Sequence, residues 1–446
     1  MADQLSNHGM GKQTFKIITL GCKVNQYESA AIKESLLGSG CSEAPPGKAA
    51  DINIINTCIV TQKASYQSRQ AIRRALRENP SGKTVAIGCY AQVYPEELSD
   101  IEGIHLIAGN TVKDQLAVKL LETRDTENPC LLSKDFSSDM SFQFLPIKGF
   151  LDRTRAFLKI QDGCQSFCSY CIVPYARGHL RSLDSASVIQ SLHALAEEGY
   201  KEVVLTGIHL GKYGVDLEEP LDLKGLLQFI GREDFPFRIR LSSIEPNEID
   251  RELIEMMASE DWLCRHFHIP LQSGDDDILE KMNRNYTAGE FAKLIKRIHE
   301  TIPLVAIGVD VMAGFPGEDH QAFQNSYTLI RGLPVSYLHV FPYSPRRGTP
   351  AADFPGQVDV RTIKGRAGRL RNLGDHKRKV FYRSCVGKSF SILTEGWQSE
   401  EEKGIKGLSD NYLPVIFPAT RVTENELVTV RIEGLGADNL RGSVID

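Results

Sequence analysis

Short apolar and β-branched runs alternate with helix-periodic stretches along the first quarter of the chain. Phe15–Leu20, Ile52–Asn56 and Thr84–Ile87 read as strands, and Ala64–Asn79 between two of them has helical periodicity that Pro80 stops. Strands that alternate with helices predict a parallel sheet. Residues 124–149 contain Asn-Pro, Ser-Ser-Asp and Lys-Gly with little periodicity and read as a linker. A longer alternation follows, with strands expected at Ala156–Ile160, Glu202–Thr206, Arg238–Ser242, His266–Pro270, Ala306–Val311 and Tyr337–Phe341. The clearest helix there puts Val188, Leu192 and Leu195 on one stripe, starts at Asp184-Ser185 and stops at Gly199. Six such units predict a partial α/β barrel whose strand C-termini carry the site. From about Tyr382 the pattern changes to short strands at Lys388–Thr394, Leu413–Phe417, Leu427–Ile432 and Gly442–Ile445, an all-β module that suggests a small barrel. The fold class is therefore α/β: an N-terminal open parallel sheet (14–123), a linker (124–149), a partial (β/α)6 barrel (150–381) and a small β-barrel (382–446).

Composition narrows the class. Hydrophobic residues make up 41% and charged residues 24% of 446, as in a soluble globular protein of several domains. No apolar run approaches the length of a membrane span, and Met-Ala-Asp-Gln-Leu-Ser-Asn-His does not read as a secretory signal, so the expected compartment is the cytoplasm. Ten cysteines in such a chain point to metal binding rather than a disulfide framework. The net charge of −5 hides a local excess: from Arg361 to Arg383 nine residues are Lys or Arg and only Asp375 is acidic. Arg69, Arg73, Arg74 and Arg77 form a second basic set at helical spacing. Each set reads equally well as a solvated helix face and as a phosphate contact. The C-terminal module is itself acidic, with seven basic and ten acidic side chains.

The chemistry is concentrated in cysteines. Cys164, Cys168 and Cys171 lie within eight residues and can wrap one face of an iron–sulfur cube. A [4Fe–4S] cluster takes four ligands, so one iron stays open for a small molecule. Structural zinc would want a nearby fourth Cys or His, and His179 lies eight residues past Cys171. A second placement repeats along the sheet: Leu20-Gly21-Cys22, Asn56-Thr57-Cys58 and Ile87-Gly88-Cys89 each put a cysteine just past a strand. In an open parallel sheet those ends share one edge, where ligands bind. The three thiols are thus expected to converge into a second three-cysteine site. Cys41, Cys130, Cys264 and Cys385 match no such pattern and read as ordinary buried or incidental thiols.

The motifs resemble those of the radical S-adenosylmethionine (SAM) methylthiotransferases over almost the whole chain. Thr19-Leu20-Gly21-Cys22-Lys23-Val24-Asn25-Gln26-Tyr27-Glu28-Ser29, Asn56-Thr57-Cys58-Ile59-Val60-Thr61 and Gly88-Cys89-Tyr90-Ala91-Gln92 are similar to their N-terminal domain. The run from Gly163-Cys164 to Cys171 and on through Arg177-Gly178 resembles their radical SAM core, and residues 383–446 resemble their TRAM domain. Cys22-Lys23-Val24-Asn25-Gln26-Tyr27 and Ser68-Arg69-Gln70-Ala71-Ile72-Arg73-Arg74 most resemble the MtaB type, which acts on N6-threonylcarbamoyladenosine at position 37 of tRNA and installs a methylthio group at C2.

The resemblance implies an enzyme with two [4Fe–4S] clusters and SAM. Cys22, Cys58 and Cys89 would hold the auxiliary cluster, and Cys164, Cys168 and Cys171 the cluster that chelates SAM. One SAM would methylate sulfur and a second would supply a 5′-deoxyadenosyl radical, chemistry that acid–base side chains cannot perform. Sulfur, target carbon and radical must meet at one place, which requires the two open irons to share a cavity. Gly207, Glu245, Gln272 and Asp310 follow core strands and are the expected SAM contacts. His179, His209, His268 and His339 lie near strand ends and are assigned no proton-transfer role; Phe167 and Tyr170 are expected to shield the cluster. The implied partners are tRNA, SAM, an electron donor and a sulfur source, with no membrane. Three other readings stand beside this one. They are a methylthiotransferase acting on N6-isopentenyladenosine or a ribosomal-protein aspartate, a two-cluster electron carrier, and a zinc-containing RNA-binding module.

Overall fold

The computed structural model describes residues 13–122, 129–137, 140–147, 149, 154–397, 404–418 and 422–445. They form two compact units. The first comprises the described residues up to Ile147 together with Tyr175–Gly178, and the second comprises the remainder.

In the first unit the elements run β1 (Thr14–Thr19), α1 (Lys23–Gly38), β2 (Ser42–Glu43), β3 (Ile52–Thr57), α2 (Gln62–Glu78), β4 (Lys83–Gly88), α3 (Cys89–Val93), α4 (Pro95–Ser99), β5 (Ile104–Ala108), α5 (Leu116–Glu122) and β6 (Cys130–Leu132). The six strands make one sheet in the order β2-β1-β3-β4-β5-β6, parallel throughout. Both faces of the central strand β3 are covered, and Ile52, Ile54 and Ile55 are buried, as expected for a parallel sheet packed between helices. Phe15, Ile54, Val85, Ile87 and Leu106 pack with Ile32 and Leu36 of α1 and Leu116 and Leu120 of α5. Helix α2 starts where Thr61 Oγ1 accepts the Ala64 N–H at 3.1 Å and ends before Pro80. The strand β6 lies in the segment that the sequence pattern assigns to a linker, where Leu131 pairs with Ile107. A run of three residues is too short to show an alternation. Residues 124–128, 138, 139 and 148 of that segment lie outside the described residues.

The second unit begins with β7 (Arg155–Lys159), β8 (Gln161–Asp162), α6 (Val173–Arg177, of which Tyr175–Arg177 belong to the first unit), β9 (Arg181–Ser182), α7 (Ser185–Glu197), β10 (Glu202–Thr206), α8 (Leu223–Ile230) and β11 (Arg238–Leu241). It continues with α9 (Arg251–Ser259), β12 (His266–Gln272), α10 (Asp276–Lys281), α11 (Ala288–Thr301), β13 (Ala306–Ala313), α12 (His320–Gly332), β14 (Tyr337–Pro342) and α13 (Val360–Cys385). All six expected barrel strands are present. They form two parallel three-stranded sheets, β11-β10-β7 and β12-β13-β14, and Ile239 of β11 makes an isolated parallel bridge with Leu263, just ahead of β12. Helix α7 has the expected signals: Asp184 Oδ1 accepts the Ser187 N–H at 2.9 Å, Val188, Leu192 and Leu195 are fully buried, and Gly199 adopts φ +82°.

The last strands, β15 (Ser389–Trp397), β16 (Ile405–Ser409), β17 (Pro414–Phe417), β18 (Leu427–Leu435) and β19 (Leu440–Val444), close into a barrel in the order β15-β16-β17-β19-β18. Phe390, Ile392, Ile405, Val415, Val430 and Ile432 fill it. Arg238 and Arg240 of β11 fix it to the core strands. Both guanidiniums bind the buried Glu202 carboxylate of β10 at 2.7–3.0 Å. Their other N–H groups donate to the main-chain oxygens of Ser391, Leu408, Ser409 and Asp410, all at 2.8–2.9 Å.

Candidate functional site

Strands β1, β3 and β4 are neighbours, and the chain leaves each of them at a cysteine. Cys22 follows β1 after a two-residue turn, Cys58 directly follows β3, and Cys89 directly follows β4. Because the strands are parallel, all three lie at one edge. Glycine makes the crowding possible. Gly21 has φ +99°, and a Cβ there would lie 2.8 Å from Cys58 Cβ and 2.9 Å from its Sγ. Gly88 has φ +96°, and its Cβ would lie 2.6 Å from Asn56 Oδ1. The Cys58 N–H donates to Ser68 Oγ at 3.2 Å, and the hydroxyl returns to Cys58 O at 3.1 Å. Asn110 Nδ2 donates to Cys89 Sγ at 3.5 Å.

A buried charge cluster accompanies these thiols. Arg177 Nη1 reaches Glu28 Oε1 at 2.5 Å and its Nη2 reaches Asn25 Oδ1 at 2.6 Å. Lys113 Nζ donates to the other oxygen of Glu28. Two cations thus face one carboxylate, all three side chains are about 1–2% exposed, and the local charge is positive. Burial, together with the neighbouring Cys89 and Cys22, pushes the Cys58 thiol up to about 12 against the pull of Arg177. Three thiolates can be accommodated at this edge only with cationic compensation.

The second triad follows β8. Gly163, at φ +76°, turns the chain, and Gln161 holds the turn by donating from Nε2 to the main-chain oxygens of Asp162 and Gly163 at 2.7 and 2.9 Å. Cys164 Sγ lies 3.4 Å from His209 Nδ1, and His209 Nε2 lies 2.7 Å from Glu248 Oε1. Burial alone would raise the Cys164 thiol, but His209 overcomes it and holds the thiol below its ordinary range. His209 is held up, at about 10, by Cys164 and Glu248 against its own burial. Arg284 Nη1 donates to Cys168 Sγ at 3.3 Å, and its Nη2 binds Glu245. Cys171 is pushed up to about 12 by burial and by Cys168. The loop between the cysteines is pinned from α10 and the turn after it: Ser169 Oγ donates to Lys281 O at 2.7 Å, and Asn283 Nδ2 donates to Ser166 O and Phe167 O at 3.0 and 3.2 Å. A cavity of about 90 Å³ adjoins Cys168, lined by Lys212, Glu245, Glu248, Asn283 and Arg284 among others.

The sulfur spacing bears on whether one ion or a cluster would be held. Four thiolates at 2.3 Å from a tetrahedral zinc lie about 3.8 Å apart. Among the described residues no three cysteine sulfurs lie within 4.8 Å of one another. Both triads are too open for a single ion, yet close enough that Cys89 and Cys22 raise Cys58 and that Cys168 and Cys164 raise Cys171. They fit a multi-iron cluster.

Comparison with known proteins agrees. Residues 14–109 match the model of "Uncharacterized protein family UPF0004" and residues 158–330 that of the radical SAM superfamily. The threonylcarbamoyladenosine tRNA methylthiotransferase MtaB of Bacillus subtilis (strain 168) is 39% identical over 93% of this chain and 92% of its own. The chain belongs to the radical SAM methylthiotransferase family. The tRNA-2-methylthio-N(6)-dimethylallyladenosine synthase of Natranaerobius thermophilus is 32% identical over 98% of both chains. A solved radical SAM methyltransferase, TsrM from Kitasatospora setae, shares the fold at TM-score 0.54 and 17% identity, covering 77% of this chain and 74% of its own. As a radical SAM enzyme, this methylthiotransferase uses a [4Fe–4S] cluster and SAM. Among the described residues no helix is long and apolar enough to cross a membrane.

The structure of this methylthiotransferase brings each cysteine triad together within its own unit. Of the four residues expected to contact SAM, Glu245 lines the cavity beside Cys168, while Gly207, Gln272 and Asp310 are not among its lining residues. Gly207 instead admits Gln161, whose Oε1 accepts the His209 N–H at 2.7 Å; a Cβ on Gly207 would lie 2.9 Å from that oxygen. Gln272 sits at φ +62° in the bulge of β12 against β13. Asp310 is engaged by His268 and His339. Phe167 is half exposed, while Tyr170 packs edge-on to Phe315 at 6.4 Å. The contact of His209 with Cys164, the part played by Arg284 and the Glu28, Lys113 and Arg177 cluster are not expected from the sequence pattern. One signal was available: Glu28 shares the apolar stripe of α1 with Val24, Ala31 and Ile32, and a charge on such a stripe needs a partner.

Proposed function

We propose that this methylthiotransferase adds a methylthio group to C2 of N6-threonylcarbamoyladenosine at position 37 of tRNA, using two [4Fe–4S] clusters. Cys164, Cys168 and Cys171 hold the cluster that binds SAM, and Cys22, Cys58 and Cys89 hold the auxiliary one. The observation that carries the two-cluster reading is the second triad, three thiols gathered at one sheet edge beside a net-positive buried cluster. Bound at these sites, the clusters and SAM supply radical activation of carbon and a carrier for the transferred sulfur.

The residues of the chain position this chemistry. Arg284 donates to Cys168 and pairs with Glu245, which lines the cavity; that carboxylate would bind the SAM ammonium or ribose. His209, anchored by Glu248, contacts Cys164 Sγ and lowers the affinity of that thiol for its proton. Asn110 donates from Nδ2 to Cys89 Sγ and so helps to orient that ligand. Five curated relatives named MtaB, at 32–39% identity, support the threonylcarbamoyladenosine substrate. Relatives named for dimethylallyladenosine, at 30–32%, support the second reading, an isopentenyladenosine substrate.

Nucleoside mass spectrometry of tRNA from a deletion strain separates the two. Methylthiolated threonylcarbamoyladenosine is expected to vanish, with its unmodified parent accumulating and the isopentenyl product unchanged. The reverse pattern would transfer the assignment to the second reading. Anaerobically reconstituted protein is expected to hold about eight irons per chain, four for each cluster.

A further inference from the structure

His268, Asp310 and His339 sit on three adjacent parallel strands of the second unit, β12, β13 and β14. The register sets Pro270 beside Asp310 and Asp310 beside His339. His268 lies two residues before Pro270, so the alternation of side chains along a strand brings all three to one face. Their ligand atoms meet there. His268 Nε2 lies 2.6 Å from Asp310 Oδ1, and His339 Nδ1 lies 3.2 Å from that oxygen and 3.2 Å from His268 Nε2. Among the described residues this is the one group of three His, Cys, Asp or Glu ligand atoms within 4.8 Å of one another.

Those separations suit a metal. Nitrogen and oxygen ligands about 2.0–2.2 Å from a zinc ion lie roughly 3–3.5 Å apart, so two of the three distances already match and the third needs a small side-chain rotation. The surroundings suit it as well. Ser243 Oγ is 2.6 Å from His268 Nδ1, which lets His268 donate its Nδ1 proton to the hydroxyl while Nε2 turns its lone pair to the cluster, the usual outer-shell arrangement of a ligating histidine. The Tyr337 ring stands 5.3 Å from that of His339. His268 and Asp310 are 15% and 16% exposed but His339 is 49% exposed, so the group is closed toward the sheet and open on one side.

We propose that His268, Asp310 and His339 bind one divalent first-row transition ion, of the zinc or iron(II) class, apart from the cysteine triads. Two imidazoles and one carboxylate are the donor set of such ions in sites that keep exchangeable positions. The open side at His339 leaves those positions to water or to an oxygen or nitrogen donor from a bound molecule. This assignment does not depend on which adenosine is the substrate.

The test uses the anaerobically reconstituted holoenzyme, equilibrated with zinc chloride, desalted, and analysed for zinc and iron together with zinc-edge X-ray absorption. Wild type is expected to retain one zinc per chain in a nitrogen/oxygen shell. Asp310→Asn and His339→Ala are expected to bind zinc at least tenfold more weakly with iron content unchanged, and Ser243→Ala about tenfold more weakly. His339 is half exposed, so its variant remains informative if Asp310→Asn does not fold. No retained zinc in wild type, equal zinc in wild type and His339→Ala, or sulfur in the zinc shell would each overturn the proposal.

Discussion

A cysteine preceded by a glycine in the left-handed region recurs at three of the six triad positions: Gly21-Cys22, Gly88-Cys89 and Gly163-Cys164. The pairs are plain in the sequence, and so was the edge on which two of them lie. What the sequence concealed was charge compensation. Lys113 and Arg177 lie far from Glu28 along the chain and each alone resembles an ordinary surface charge; only Glu28, on the apolar stripe of α1, stands out. The two triads make separable predictions. Cys168→Ala is expected to abolish release of 5′-deoxyadenosine from SAM. Cys58→Ala is expected to leave that release measurable, to remove about half of the iron and to stop methylthio insertion. Full methylthio product from Cys58→Ala would remove the case for the auxiliary cluster.

Among the elements, β16 shows how a strand escapes notice. Ile405–Ser409 contains Lys406 and Gly407 and lacks the alternation that marked its neighbours. Gly407 is nonetheless a barrel position: a Cβ there would lie 2.4 Å from Ile392 Cγ2 and 2.6 Å from Leu393 O. Gly407→Ala is therefore expected to cost about 1–3 kcal/mol through overpacking. Both tryptophans of the chain, Trp262 and Trp397, belong to the second unit, so fluorescence-monitored urea unfolding reads this loss, and an unchanged midpoint would contradict it. The longer elements were legible because their periodicity spans several turns, as in α7, or because β-branched runs mark a strand buried on both faces, as in β3.

The joint between β10, β11 and the barrel has its own pH signature. Burial raises the Glu202 carboxyl, but Arg240 and Arg238 overcome it and hold it at about 2. Its folded value lies below the ordinary 4.5, so the unfolded chain takes up the proton first. The stability it contributes is complete above about pH 4.5 and is lost as the pH falls toward 2. The fluorescence-monitored midpoint of wild type is expected to drop more between pH 5 and pH 3 than that of Glu202→Gln; equal slopes would remove Glu202 as the cause.

At the scale of the whole molecule, the net charge of −5 is a poor guide to the partner. The basic run from Arg361 to Arg383 folds as α13, and not all of it is free. Arg366 binds Glu318, and Lys377 donates to the main-chain oxygens of Arg331 and Leu333. Arg361, Lys364, Arg371, Lys379 and Arg383 stay exposed. If they meet tRNA phosphates, each alanine substitution is expected to lower the slope of log affinity against log salt by about 0.7–0.9. Filter binding across a salt series checks this, and a slope that does not change would return these residues to the status of a solvated face. The attachment of the barrel works by different rules. Arg238 and Arg240 donate to peptide oxygens on the barrel side, which every amino acid supplies, but Arg240 also lies over the Tyr412 ring at 5.2 Å, and Arg155–Glu395 and Arg265–Asp410 add ion pairs between side chains. A barrel grafted from a relative should therefore plug into the same socket only if it keeps Glu395, Asp410 and Tyr412 as well as the backbone course, while residues that face away from this joint are free to drift in evolution.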